Sequence, residues 1–188
     1  MKGPERILTA RLILRRPVAS DASEIYSRYA SDPEVTKFLG WARHQSIDQT
    51  QAFLSFSDAD WERWPAGPYL IESKHDTRLL GGTGLGFETR ETATTGYVLA
   101  RDAWGFGYAT EALRAMVELA DKLGVTRLYS LCHPGHAPSI RVLEKCGFVR
   151  ERGAPPVTFP NLDPGRAQPC LRFTHTGSLT RAEAKNPE

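Results

Sequence analysis

The chain has 188 residues, of which 40% are hydrophobic, and its 24 Lys and Arg residues against 22 Asp and Glu residues give a net charge of +2. This length suits one domain with its own core, and so balanced a charge gives no reason to expect nucleic acid or an anionic membrane as the main partner. No apolar run approaches the roughly 20 residues that span a bilayer, and the first residues lack the apolar segment of a signal peptide. We therefore expect a cytoplasmic protein without a membrane partner.

The three cysteines indicate neither a metal centre nor a disulfide framework. Cys132, Cys146 and Cys170 are odd in number and no C-x-x-C pair occurs among them, so no zinc site and no set of paired disulfides is predicted. Cys132 directly precedes His133, which leaves a nucleophile pair as the alternative to a buried thiol. The buried thiol is favoured, because cysteine is among the most buried residue types.

The first third of the chain predicts one strand and then three helices. Residues 7–15 are rich in Ile and Leu and predict a strand. Helix starts follow at Asp21, at Asp32 before Pro33, and at Ser46, because each is an N-capping residue type placed before an apolar pattern. The predicted helices cover residues 18–29, 33 to about 40, and 47 to 61 or 64.

The rest of the chain predicts a mixed α/β (α+β) arrangement. Two helices of 3.6-residue period, ended by Gly124 and Gly147, separate its later strands, and only this later part demands a parallel pair. One domain over residues 1–176 and a polar tail over 177–188 are expected. The predicted strands are 69–74, 79–87, 96–100, 127–132 and 170–176, the predicted helices are 107–123 and 139–146, and the predicted turn and loop are 88–95 and 154–169.

The stretch from Gly96 to Glu111, GYVLARDAWGFGYATE, joins a strand to a helix through glycines. Glycine lets the backbone approach an anion closely, and the first N–H groups of the helix lack intrahelical acceptors and lie at the positive end of the helix dipole. The Lys-Ser/Thr pair of a P-loop is absent, and Thr110 stands where the dinucleotide fingerprint needs Gly or Ala. The sequence therefore predicts a phosphate-binding turn of another kind.

A second motif, SIRVLEKCGF from Ser139 to Phe148, follows a short predicted strand. Together with WGFGYATEA at Trp104–Ala112 and the opening RLILRRP at Arg11–Pro17, it resembles the GNAT superfamily of acyl-CoA-dependent N-acyltransferases. The resemblance is strongest to the RimJ/RimL-like branch, the ribosomal-protein N-terminal acetyltransferases, in which W-G-x-G-Y-A-T-E-A and S-x-x-V-L-E-K-x-G-F segments occur in this order. It covers roughly residues 7–150.

The resemblance implies the GNAT fold, which is a central, mostly antiparallel sheet of about seven strands with a splayed parallel pair, the family's β4 and β5, flanked by helices. It also implies an acyltransferase that moves the acetyl group of acetyl-CoA directly to a primary amine in a ternary complex, without a metal. Acetyl-CoA and the amine, which could be a protein N-terminus, an amino acid or a small amine, are the implied partners. Homodimers are common in this branch, although no pattern in this chain marks an interface.

By the same resemblance, the diphosphate of CoA is expected on the main-chain N–H groups of residues 105–110 and the pantetheine arm on the opened backbone of residues 97–99. The family's Asn before the last helix corresponds to His136, which either replaces it as a hydrogen-bond donor, carries a proton or faces water. The expected cofactor-binding residues are Tyr97, Val98, Leu99, Trp104, Gly105, Phe106, Gly107, Tyr108, Ala109, Thr110, His136 and Ser139.

The resemblance is less complete for the catalytic groups. Many family members have a tyrosine as the leaving-group acid where this chain has Leu143, and the RimL-like branch suggests Ser139 instead. The family's Glu on the strand before the turn is missing, so the proton acceptor is open between Glu88, Glu91, His44 and ordered water, with Glu88 chosen as the catalytic candidate. The missing Glu favours a weakly basic acceptor such as an α-amine, which is partly neutral at pH 7.

Two departures from the family pattern, His136 and Leu143, leave an alternative function open: an acyl-CoA-binding module of the same fold with impaired catalysis. An interaction domain without CoA affinity is disfavoured by the intact turn. The acceptor pocket is expected between the N-terminal helices and the 154–169 loop. Trp41, Trp61 and Trp64 are expected to supply aromatic surface there, with core packing as the alternative for Trp61.

Overall fold

The computed structural model describes residues 1–175, and an eight-stranded sheet lies at the centre of that range. The strands of this sheet are β1 (Arg6–Leu8), β2 (Leu12–Arg15), β3 (Pro68–Ser73), β4 (Leu79–Phe87), β5 (Thr92–Leu99), β6 (Arg127–Cys132), β7 (Phe148–Arg150) and β10 (Leu171–His175), while β8 (Val157–Thr158) and β9 (Ala167–Gln168) form a separate ribbon. The order is β1-β2-β3-β4-β5-β6-β10-β7. Within residues 1–175 the β5–β6 pair alone is parallel, which confirms the predicted fold class.

Five α-helices within the described residues cover the sheet. They are α1 (Ala22–Ile25), α2 (Pro33–Thr36), α3 (Ile47–Arg63), α4 (Tyr108–Lys122) and α5 (Ala137–Lys145). A 3₁₀ turn (Ala19–Asp21) precedes α1 and a widened turn (Tyr26–Ala30) follows it, and a second 3₁₀ turn (Arg101–Ala103) leads from β5 toward α4. None of the helices within residues 1–175 combines the length and the apolarity needed to cross a membrane.

The core has two parts, one on each face of the sheet. The larger part includes Leu113, Met116 and Leu143 from α4 and α5, and the smaller part includes residues of α1 and α3. Leu70 and Ile71 are neighbours on β3, yet Leu70 belongs to the smaller part and Ile71 to the larger, because successive side chains of a strand point to opposite faces. This division leaves the predicted phosphate-binding turn and the start of α5 on the α4 side of the sheet.

Four predicted elements were wrong in their extent, and one of them, the helix from 33 to about 40, already ends at Thr36. The 7–15 strand is a hairpin of two strands, because the chain turns at Thr9, whose N–H donates to the Leu12 carbonyl and whose hydroxyl oxygen accepts from the Leu12 N–H, both at 3.0 Å. The polar run 88–95 is not all turn: β5 begins at Thr92, and its threonines pair with both β4 and β6. The 154–169 loop contains the ribbon β8–β9.

The later boundaries agree better with the sequence. β4 and β6 have the predicted limits, and Gly124, with φ of 77°, ends α4 as expected. Helix α5 begins at Ala137, two residues before the predicted start. The last predicted strand is present as Leu171–His175, while Thr176 and the predicted tail 177–188 lie outside the described residues.

The N-caps were predicted with mixed success. The Asp32 carboxylate accepts from the Glu34 and Val35 N–H groups at 2.8 and 3.3 Å, with Pro33 next to it, as the sequence predicted. Ser46 does stand before α3, but its side chain makes no capping hydrogen bond. Asp21 caps an earlier turn instead, because its carboxylate accepts from the Val18 N–H at 2.7 Å.

Candidate active site

An open cleft forms where the parallel strands β5 and β6 part. Their ladder runs from the Thr92–Arg127 pair to the Thr94–Tyr129 pair and ends there. Beyond it, β5 continues to Leu99 paired with β4, and β6 continues to Cys132 paired with β10. The main chain of residues 95–99 is thus released from β6, which is what an extended ligand with amide groups needs in order to pair with a strand.

The predicted phosphate-binding turn lies at the end of β5, next to this cleft. Gly105 and Gly107 have φ values of 84° and 79°, a region that costs side-chain-bearing residues about 1–2 kcal/mol. Gly107 is the N-cap of α4 and has no side-chain capping bond, and the first helical bond in this turn runs from the Glu111 N–H to the Gly107 carbonyl at 3.1 Å. The N–H groups of the three residues between them therefore lie free at the positive end of a 15-residue helix.

The charged groups around the turn are engaged in anchoring it. Arg101 pairs with the Asp32 carboxylate at 2.7 Å and so ties the turn to the cap of α2. Arg11 donates to the Phe106 carbonyl at 2.8 Å and pairs with Glu111 at 2.7 Å. Because both arginines are already paired with carboxylates, the turn offers an anion mainly the dipoles of its main-chain N–H groups.

The aromatic side chains of the turn are exposed. Trp104 and Phe106 are 46% and 60% exposed, and Phe106 stacks on Tyr108 with ring centroids 5.8 Å apart. The Trp104 indole N–H donates to the Leu99 carbonyl at 2.8 Å, so this carbonyl is already partnered. Within residues 97–99, which are predicted to bind the pantetheine arm, the main chain around Tyr97 is therefore more available than that of Leu99 for hydrogen bonds to a ligand.

Tyr97 and Ser139 meet across the cleft. The Tyr97 hydroxyl lies 2.9 Å from the Ser139 Oγ and donates to the Ser139 carbonyl at 3.0 Å. Burial raises the pKa of Tyr97 well above its ordinary value, although the Ser139 hydrogen bond opposes this, so the hydroxyl is protonated at neutral pH. Leu143, one turn further along α5, is fully buried.

His136 directly precedes α5 but does not cap it. Its ring stacks on Phe38 with centroids 4.8 Å apart, and His133 stacks on the same ring at 5.0 Å. Burial and the neighbouring His133 lower the pKa of His136, which favours the neutral imidazole. His133 accepts from the Gly135 N–H through its Nδ1 at 3.0 Å. The His136 ring is thus packed against Phe38, in the loop that follows α2, beside the cleft.

The candidate bases are spread over the molecule. Glu88 follows β4, is exposed, and accepts a hydrogen bond from the Tyr129 hydroxyl. Phe87 pairs with Ala93 and Thr83 with Tyr97, so Glu88 lies opposite Thr92 at the start of β5, five residues or about 17 Å along the strand from Tyr97 at 3.3 Å per residue. The structure therefore does not bring Glu88 to Ser139.

The other two candidate bases also lie away from the Tyr97–Ser139 pair or are engaged. Glu91 is exposed and directly precedes β5, even further along the strand from Tyr97 than Glu88, and its main-chain carbonyl accepts from the Thr126 and Arg127 N–H groups at 2.8 and 3.0 Å. His44 shares a hydrogen bond of 2.8 Å between its Nδ1 and the Thr50 hydroxyl, and burial lowers its pKa. His44 also packs against Trp41, with ring centroids 5.3 Å apart.

The 154–169 segment is fastened to the loop between α2 and α3 by one side chain. Asn161 donates through Nδ2 to the carbonyls of Thr36 and Trp41 at 2.7 and 2.8 Å, and its Oδ1 accepts from the Arg43 N–H at 2.7 Å. Phe159 is buried in the same segment and packs edge-on against His133 at 4.9 Å. The two segments predicted to form the acceptor pocket therefore meet beside the cleft.

The tryptophans divide between this region and the core. Trp41 lies in the loop that Asn161 holds. Trp61 is a core residue, with its indole N–H donating to the Pro68 carbonyl at 2.9 Å and its ring edge-on to Tyr69. Trp64 stacks on Phe87, with centroids 5.8 Å apart. Core packing, the alternative stated for Trp61, is what the structure shows for it.

The family described as Acetyltransferase (GNAT) domain matches residues 11–149. The chain belongs to this GNAT acetyltransferase family. The uncharacterized N-acetyltransferase YoaA of Bacillus subtilis is 30% identical over 148 residues, which are 76% of this chain and 82% of the relative. The uncharacterized N-acetyltransferase p20 of Bacillus licheniformis is 29% identical over 150 residues, 78% of this chain and 84% of that protein.

Solved GNAT structures share the fold at low sequence identity. The RimL ribosomal L7/L12 alpha-N-protein acetyltransferase, solved in complex with CoA, superposes with a TM-score of 0.76 at 19% identity, over 91% of this chain and 97% of that one. A GNAT-family acetyltransferase from Bacillus anthracis superposes with a TM-score of 0.77 at 22% identity, over 90% and 96% of the two chains. The predicted resemblance to the RimL-like branch is confirmed at the level of the fold.

The contacts of four side chains in or beside the cleft were not predicted. Asn161 and Phe159 lay in a segment interpreted only as a loop, and Phe38 in a predicted short helix. Tyr97 was predicted through its main chain and not through its hydroxyl. Among residues 1–175, no group of three or more His, Cys, Asp or Glu side chains could hold a metal ion.

Proposed function

We propose that this protein transfers the acetyl group of acetyl-CoA to a primary amine by direct attack of the amine on the thioester. The single observation that carries the proposal is the combination of two features at one point: the glycine turn at the start of α4 and the parting of β5 from β6 beside it. The first suits a diphosphate, and the second suits the amide-bearing pantetheine arm that follows the diphosphate in CoA. RimL, which has the same fold, was solved in complex with CoA.

In this proposal the main-chain N–H groups of residues 105–110 bind the diphosphate, with Trp104, Phe106 and Tyr108 around them. The backbone of residues 97–99 and the side of α5 that begins with His136 and Ser139 hold the pantetheine arm. His136 offers a neutral imidazole N–H in place of the family's Asn amide. The thioester carbon then lies within reach of the Tyr97–Ser139 pair, whose hydroxyls support the departing sulfur.

The amine gives up its proton to ordered water in this proposal. The distance of Glu88 from Tyr97 along β5 and its hydrogen bond to Tyr129 favour water over Glu88 as the direct acceptor. An α-amine with a pKa near ~8 is partly neutral at pH 7 and can react in this way. The acceptor of choice is therefore a weakly basic amine such as an α-amino group, bound between the α2–α3 loop and the 154–169 segment, and the reaction takes place in the cytoplasm.

The proposal is tested by following release of the free CoA thiol from acetyl-CoA with a panel of α-amino and ε-amino acceptors. We expect thiol release that depends on the amine and is faster with α-amines. A thermal shift with CoA runs beside it, since a ligand at 100 times its dissociation constant adds ~2.7 kcal/mol to stability. A shift without turnover would leave the alternative of a binding module with impaired catalysis, and neither shift nor turnover would reject the CoA site.

A further inference from the structure

The Tyr97–Ser139 pair joins the two elements that border the cleft. Tyr97 projects from β5, and Ser139 is in the first turn of α5, 42 residues later in the chain. Two contacts bind them, one to the Ser139 Oγ at 2.9 Å and one to its carbonyl at 3.0 Å. The Tyr97 ring is only partly exposed and packs against the larger core, so its hydroxyl is held at the start of α5.

The direction of these hydrogen bonds follows from the chemistry of the groups. A carbonyl accepts only, whereas both hydroxyls can donate and accept. A tyrosine is protonated at neutral pH, and burial raises the pKa of Tyr97 further, so its O–H hydrogen is present and has two possible acceptors. It donates to the Ser139 carbonyl while Ser139 donates to it, or it donates to the Ser139 Oγ and leaves the Ser139 hydrogen free for a third group.

A negative charge in the cleft selects the second arrangement. A thiolate attracts the Ser139 hydrogen, and the Tyr97 hydrogen then moves from the carbonyl to the Ser139 Oγ. Chains of hydrogen bonds polarise one another and become stronger inside a protein, so Ser139 becomes a better donor when Tyr97 donates to it. Leu143 has no hydrogen to donate and is fully buried, so α5 itself supplies no second hydroxyl at the family's tyrosine position.

We infer that Tyr97 is a positioning residue for the departing thiolate, acting through Ser139 and supplying from β5 the phenol that α5 lacks at Leu143. The inference rests on the proposed function. As the amine nitrogen bonds to the carbonyl carbon, the carbon–sulfur bond breaks and its electron pair goes to sulfur. Ser139 donates a hydrogen bond to that sulfur, the extra proton on nitrogen leaves to water, and the thiolate takes one proton from water on release.

A double-mutant cycle on kcat tests the inference. Tyr97→Phe removes the hydroxyl but keeps the ring, and Ser139→Ala removes the group through which it acts. We expect each variant to lower kcat about tenfold, the size of one lost hydrogen bond to a charged group, with the KM for acetyl-CoA within about twofold of wild type. The double variant should be no slower than Ser139→Ala alone, because the two groups act as one unit.

Tyr69→Phe is the matched control. Tyr69 is a buried tyrosine of β3 whose hydroxyl donates to the Pro4 carbonyl at 2.7 Å, away from the cleft. We expect Tyr69→Phe to lower Tm and leave kcat unchanged, whereas Tyr97→Phe lowers kcat.

If Tyr97→Phe does not fold, 3-fluorotyrosine at position 97, a more acidic donor of nearly the same size, is used in its place. It should then raise kcat when Ser139 is present and leave kcat unchanged in Ser139→Ala.

The outcomes are distinct. Wild-type kcat in Tyr97→Phe, or a double variant slowed by the product of the two single effects, overturns the inference and leaves the proposed function intact. If 3-fluorotyrosine at position 97 changes kcat by the same factor in the presence of Ser139 and in Ser139→Ala, the inference is likewise overturned and the proposed function stays intact. A wild-type protein that releases no thiol with any amine overturns both.

Discussion

Gly107→Glu puts a carboxylate where we place the CoA diphosphate. The variant has two separable effects, and a matched variant, Gly107→Ala, isolates one of them. At φ of 79° any side chain costs about 1–2 kcal/mol, and a new Cβ has open space around it, its nearest neighbour being the Arg11 Nη2 at 3.6 Å. Both variants should therefore fold and lose about 2–8 °C in Tm, given about 2–4 °C per kcal/mol for a chain of this size.

The charge adds a cost that only the glutamate variant carries. Two unit negative charges about 5 Å apart repel by about 3 kcal/mol at an effective dielectric constant near 20, which is about 150-fold in affinity. We therefore expect Gly107→Glu to bind CoA at least about 100-fold more weakly than Gly107→Ala, with a smaller gap at high salt. Isothermal titration calorimetry at two salt concentrations measures this. Folded variants whose CoA affinities agree within about threefold would refute the placement of the diphosphate.

Three further predictions concern the rest of the site and the fold. Asn161→Asp replaces two hydrogen-bond donors by a group that only accepts. We expect steady-state kinetics to show a KM for the amine that is raised about fivefold or more and a KM for acetyl-CoA within about twofold of wild type. Equal effects on the two KM values would contradict a role of Asn161 on the acceptor side. Glu88→Gln should keep kcat within about twofold at pH 7 if water takes the proton, and a collapsed rate at low pH would restore Glu88 as the base. Burial, the largest single influence, raises the pKa of Asp21, yet the Arg15 hydrogen bond, the Val18 N–H and the positive charge of Arg15 together outweigh it and leave the pKa below its ordinary value. Its stabilisation is then complete above the unfolded-state pKa near ~3.9 and is lost as pH falls through the lower folded-state pKa, so Asp21→Asn should melt earlier than wild type at pH 7 and converge with it in acid.

The sequence predicted the glycine turn and the start of α4 because their signals are local. Gly105 and Gly107 are needed for their positive φ values, and the apolar period of α4 begins directly after them. A strand, a turn and a helix start within 16 residues can be recognised from neighbouring residue types alone. The same holds for the Asp32 cap, whose partners are two and three residues away.

The contacts of Asn161 and the Tyr97–Ser139 hydroxyl pair could not be predicted in this way. Asn161 contacts residues more than 115 positions away in the chain, and Tyr97 meets a residue 42 positions away. Such contacts depend on how the sheet is ordered, and no local pattern contains them. The wrong turn at 88–95 has a different cause: Thr92 and Thr94 are polar, so they suggested a turn, although their branched side chains suit a strand paired on both sides.

The most direct test of the central claim is a crystal structure of the protein soaked with acetyl-CoA. We expect the diphosphate on the N–H groups of residues 105–110, the pantetheine arm along residues 97–99, and the thioester sulfur within hydrogen-bonding distance of Ser139. Acetyl-CoA bound elsewhere, or a cleft between β5 and β6 that stays empty at saturating ligand, would contradict it.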